Sequence, residues 1–105
     1  VGMLFKFKSK ATGDLIMLEQ HGSHLLRIIG KEPAPKGIVL CADMPQALAR
    51  LQDAIDEQEE LAREREARGE SGDNADLVTL RQRAVPFMDM LRRCIHNECD
   101  VVWGV

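Results

Sequence analysis

The sequence predicts a two-layer α+β domain: a small, mostly antiparallel sheet covered on one face by an antiparallel helical hairpin plus a short helix. Three observations lead there. Near the start, "MLFKFKSK" alternates with period two, so Phe5 and Phe7 share one face and Lys6 and Lys8 the other, as in a half-buried strand. Two later stretches carry apolar residues at helical spacing: Met44, Leu48, Leu51 and Ile55, then Leu77, Leu80, Ala84, Phe87, Met88, Leu91 and Ile95. Finally, "DVVW" at residues 100–103 has the β-branched and aromatic content of a closing strand. Elements with one apolar face each bury it by stacking in layers, with Phe5, Phe7 and Trp103 beneath the helices.

Each element follows in order. "ATGD" after the first strand offers Gly13 to a turn, and "LIML" at residues 15–18 returns as a second strand. "EQHGSH" then interrupts the apolar pattern, and a glycine inside a helix costs about 1 kcal/mol relative to alanine. The short helix is therefore expected to begin with Ser23 as its cap and to stop at Gly30. "KEPAPKG" is a stiff connector, because its prolines fix φ and bias their predecessors away from helix. "IVLC" reads as a short strand or a buried lead-in to the next helix. Asp43 is the expected N-cap of that helix, with Pro45 in its first turn.

Beyond Ile55 the stripe thins to Leu61 and Ala62, and residues 57–75 read as a charged helical arm followed by a flexible loop. Asp76 is the expected cap of the last helix. Pro86 lies inside that helix, removes the hydrogen bond to the Gln82 carbonyl and is expected to kink it.

A chain of 105 residues with 45% apolar content supports a single domain, residues 1–105, around one modest core. No run approaches the roughly 18 apolar residues of a membrane span, and the N-terminal segment lacks the long apolar stretch of a secretory signal. Three cysteines, an odd count, fit reduced thiols and a cytoplasmic setting better than a disulfide framework. A net charge of −3 gives no general attraction to nucleic acid, and no membrane partner is expected. The charge is uneven: ten acidic side chains between Asp53 and Asp76 face only Arg63, Arg65 and Arg68.

Two clusters could carry chemistry. "CIHNEC" brings Cys94, His96 and Cys99 close in sequence, and "HGSH" holds His21 and His24. On a continuous helix Cys94 and Cys99 point to different sides, Cys94 and His96 are nearly opposed, and only His96 and Cys99 share a face. A helix ending near Asn97 would free Cys99, yet a zinc site would still need His21 or His24 from another element. The favoured reading is that Cys94 packs in the core and His96 is solvated. Cys99 with His96 as base, oriented by Glu98 or Asp100, has the spacing for a nucleophile pair, but no oxyanion hole or phosphate loop accompanies it. The chain therefore reads as non-enzymatic, with no catalytic residue, metal or cofactor expected. Arg81 and Arg92, eleven apart and on one helical face, are the candidates for binding a small anion or an acidic partner. Their plainer role is pairing with acids of the neighbouring arm.

Four blocks, "MLFKFKSKATGDLIM", "GIVLCADMPQALARL", "LRQRAVPFMDML" and the terminal "DVVWGV", together resemble a family of small bacterial proteins classed as a domain of unknown function. The resemblance covers nearly the whole chain apart from the charged arm. It implies a compact cytoplasmic α+β protein, brings no activity, cofactor or catalytic residue with it, and does not extend to the cysteines and histidines of "CIHNEC".

The functional expectation is a non-catalytic protein-interaction or regulatory module, binding a protein partner or self-associating as a homodimer. The alternative is a transition-metal or thiol-redox protein using Cys94, His96 and Cys99.

Overall fold

The computed structural model describes residues 4–69 and 79–105. Strand β1 (Leu4–Lys8) turns back into β2 (Leu15–Leu18), which runs directly into helix α1 (Glu19–Ile28). Strand β3 (Gly37–Val39) leads through a 3-10 turn (Cys41–Asp43) into α2 (Met44–Ala67); α3 (Leu80–Asn97) and β4 (Val101–Trp103) follow. The strands form one sheet in the order β2-β1-β4-β3, every pair antiparallel. The expected architecture is thus the observed one, with "IVLC" contributing a three-residue strand.

Period-two alternation decides what the sheet buries. Phe5, Phe7, Val39, Val101 and Trp103 point inward to the helices and are buried. Phe7 is the hub: its ring lies 4.8 Å from Phe87, 5.9 Å from Phe5 and 6.2 Å from Trp103, centroid to centroid. The helices supply Leu25 and Leu26 from α1, Met44, Ala47, Leu51 and Ile55 from α2, and Leu80, Ala84, Phe87, Met88 and Leu91 from α3. α2 and α3 run antiparallel, since Glu59 late in α2 meets Arg81 early in α3, while Cys41 before α2 meets Cys94 late in α3. The connector over the sheet edge is pinned by Trp103, whose indole N–H donates to the Ala34 carbonyl at 2.8 Å.

The start of α1 corrects the sequence expectation. The helix begins at Glu19, so "EQHGSH" is helical and Ser23 is a buried interior residue rather than a cap. The glycine that argued against a helix is the reason the helix fits. A Cβ on Gly22 would lie 2.9 Å or less from Cβ, Cγ and Cδ2 of Phe5. Close approach of α1 to β1 offsets the propensity cost that glycine carries. The helix stops at Ile28, and Gly30 follows with φ of 86°.

Two caps also differ. Asp43 does precede α2, and Pro45 lies in its first turn, but the Asp43 carboxylate makes no capping bond. A 3-10 turn leads into α2 instead, and its backbone already curls towards the helix. Asp76 and Leu77 lie outside the described residues; α3 is capped by Thr79. Its hydroxyl accepts from the Gln82 N–H at 3.1 Å, and the Gln82 carboxamide oxygen accepts from the Thr79 N–H at 3.0 Å, a reciprocal capping box. Helix α3 runs through Pro86 as one element. Within the first two turns Pro86 forfeits a single ladder bond. From Glu60 to Gly69 every residue is exposed, so the far end of α2 is a solvated, charged stretch of helix; residues 70–75 lie outside the described residues.

Candidate functional site: an uncovered sheet face and a thiol corner

Helices cover one face of the sheet. On the opposite face Leu4, Ile16, Leu18 and Ile38 are 62, 53, 46 and 41% exposed. The register arranges them in ranks: Leu4 beside Leu18, Lys6 beside Ile16, and Lys8, Val102 and Ile38 in line across three strands. The result is an apolar surface spanning all four strands with Lys6 and Lys8 near its middle. The sign of this surface was present in "LIML": a strand that is apolar at every position has two apolar faces, and a one-sided helical layer covers only one.

The arginines proposed from sequence are paired. Arg81 donates through Nε and Nη2 to both carboxylate oxygens of Glu59, at 2.7 and 3.0 Å. The Arg81 hydrogen bond holds the Glu59 carboxyl below its ordinary range. Arg92 meets Asp89, one turn away, at 3.1 Å. Both pairs are exposed and contribute little to stability.

The histidines and cysteines do not assemble around a point. Among the described residues no group of three His, Cys, Asp or Glu side chains converges as a metal ion would require. His96 is exposed, and its imidazole makes no hydrogen bond to any described residue. His24 lies on α1 among Arg83, Arg27 and His21. Burial, and then these positive neighbours in that order, push its pKa below the ordinary value of about 6.5. The sign follows: the unfolded chain takes up the proton more readily, so His24 contributes stability above that ordinary value and loses it as pH falls through the folded one. Relative to His24→Gln, the protein is expected to lose stability between pH 7.5 and pH 5, measured by urea unfolding at each pH; parallel profiles would refute this.

The cysteines, by contrast, gather in one corner of the fold. Helix α3 ends where Glu98 takes a left-handed conformation, φ 54° and ψ 47°. The Glu98 N–H then bonds the Ile95 carbonyl at 3.3 Å and the Cys99 N–H bonds the Cys94 carbonyl at 2.9 Å. This is a Schellman motif, in which the residue past the end folds back onto the last turn. It brings the Cys99 backbone back onto Cys94, the case in which the helix ends near Asn97 and Cys99 is freed from the helical spacing. Cys94 is buried, and its sulfur lies 3.1 Å from the Ser9 hydroxyl. Burial pushes the Cys94 thiol up, against a smaller opposing effect of Ser9. Cys41, which sequence reasoning left aside, joins the corner from the 3-10 turn. Its thiol points at the Cys94 carbonyl at 3.7 Å, and its N–H donates to Asp100 at 2.8 Å.

With this geometry in place, comparison with known proteins is decisive on one point. The family model of a domain of unknown function, DUF1840, matches residues 3–103. The chain belongs to the DUF1840 family. No curated protein and no solved structure gives a match. Among the described residues of this DUF1840 chain, no helix is long and apolar enough to cross a membrane.

Proposed function

We propose that this DUF1840 protein is a non-catalytic interaction module that self-associates through the uncovered face of its sheet. One observation carries the reading: Leu4, Ile16, Leu18 and Ile38 form a shared exposed apolar surface, and clustered apolar exposure of this kind marks association sites. Charge favours a second copy as the occupant. Lys6 and Lys8 lie on that face, while the exposed end of α2 carries Glu57, Glu60 and Glu64. In a twofold pair, the acidic arm of one copy answers the lysines of the other, the self-complementarity that a dimer interface needs. Three cysteines, an odd number, favour a cytoplasmic setting over a disulfide framework.

Ile16→Glu tests the reading without harming the fold, because residue 16 faces solvent and sits across from Lys6. Light scattering on a dilution series is expected to give a dimer for the native chain and at least tenfold weaker association for the variant, equivalent to about 1.4 kcal/mol. Unchanged far-ultraviolet circular dichroism would show that the variant still folds. A native chain that stays monomeric at every concentration, or a variant that associates as tightly, overturns the proposal.

A further inference from the structure

The thiol corner supports a modification site at the border of the uncovered sheet face, since its groove shares Lys8, Ile38 and Val102 with that face. Cys99 is partly exposed and lines an open groove of about 570 Å³ together with Lys8, Lys10, Ile38, Asp100 and Val102, through which a small oxidant reaches its sulfur. Cys94 lies behind it, buried, and the Schellman bonds hold the two backbones together. In that motif the side chains of these two positions pack against each other, and Cys99 does pack against the core cluster that contains Cys94. A disulfide needs its two Cα atoms within about 4.4 to 6.8 Å, a reach that the backbone bond from Cys99 to Cys94 readily allows. The Cys99 thiol points at the Asn97 carbonyl at 3.4 Å and the Cys41 thiol at the Cys94 carbonyl at 3.7 Å, so either must rotate to bridge; only Cys99 has its backbone bonded to that of Cys94, while the Cys41 backbone is tethered to Asp100.

We propose that Cys99 and Cys94 form a reversible peroxide-sensitive disulfide, with Cys99 as the attacking thiol and Cys94 as the resolving one. The Cys99 sulfur, as thiolate, attacks one oxygen of hydrogen peroxide. The O–O bond breaks, the departing hydroxide leaves as water with the former thiol proton, and Cys99 becomes a sulfenic acid. The Cys94 sulfur then attacks the Cys99 sulfur, the S–O bond breaks, and the hydroxyl leaves as a second water with the Cys94 proton. Two thiols lose two electrons in total, and one peroxide is reduced to two waters. A dithiol reductant reverses the bridge by exchange.

Tryptic mapping reads this directly. Cys94 and Cys99 fall together in the peptide 94–105, after Arg93, and Cys41 falls in the peptide 37–50. The folded protein is treated with hydrogen peroxide, denatured, and blocked with N-ethylmaleimide. The expected result is a peptide 94–105 that is two hydrogens lighter and free of maleimide, with Cys41 fully alkylated. Dithiothreitol given before the block restores two maleimides to 94–105. Cys99→Ser is expected to abolish the mass loss, and the loss is expected to slow at least tenfold in denaturing urea, where the helix end no longer holds the pair. Maleimide on both Cys94 and Cys99 after peroxide, a link from Cys41 to either, or an equal rate in urea overturns the proposal.

Discussion

Phe7→Ala is expected to lower the unfolding free energy by about 3–5 kcal/mol, the range for removing a buried aromatic ring. The reason lies in what the ring touches. Phe7 is fully buried in the central strand of the sheet and meets Phe5, Phe87 and Trp103, joining both layers of the fold. Its truncation leaves a void bordered by β4 and α3, which the paired backbone of β1 and β4 keeps from collapsing. A domain of this size holds only about 5–15 kcal/mol in reserve, so a large part of its stability goes. Urea unfolding should show an earlier midpoint with an unchanged slope; a loss under 1 kcal/mol would place the structural centre elsewhere. An exposed residue on the same strand gives the contrast: Lys6→Ala should change stability by less than about 0.5 kcal/mol.

Gly22→Val should destabilise the protein by about 3 kcal/mol, the upper part of the usual range for overpacking. Helix α1 lies so close to β1 that a side chain at residue 22 would enter the Phe5 ring. Either the helix lifts off the strand or Phe5 leaves its rotamer, and both loosen the contacts of Leu25 and Leu26 with the core. Gly22→Ala gives a sign test. Helix propensity alone makes alanine better by about 1 kcal/mol, whereas the geometry makes it worse. Thermal unfolding of the alanine variant should therefore show a lower midpoint than the native chain; a higher one would mean that α1 is packed more loosely against Phe5.

Residue 22 also marks where reading the sequence fails. Strands β1 and β4, and the buried faces of α2 and α3, follow from side-chain periodicity, a property of neighbouring residues, and so they are visible in "FKF" or in the spacing of Met44, Leu51 and Ile55. The start of α1 is not local. It depends on Phe5, in another element, and glycine by itself signals a break as readily as a close approach. The Thr79 cap was legible, because Thr79 and Gln82 have the spacing of a capping box; Asp76 drew attention as a stronger cap type on its own. The thiol corner was hidden for a different reason. A left-handed helix end is usually announced by glycine or asparagine, and here Glu98 adopts it, so nothing in "CIHNEC" tells that Cys99 turns back to Cys94. The pairing of Arg81 with an acid of the arm was legible from the charge pattern, though not that the acid is Glu59; Arg92 instead pairs within its own helix, with Asp89.

Phe7 pairs with Trp103 at the centre of the sheet, so β1 and β3 share no continuous sheet until β4 is inserted between them. During synthesis the β1–β2 hairpin leaves the ribosome before β4 and must wait, its inner edge open, for residues far along the chain. The loops closed by that pairing are long, which slows folding and leaves a nascent edge available to other chains. Chaperone demand and inclusion-body yield should therefore respond more sharply to changes in β4 than to changes of equal energetic cost in α2.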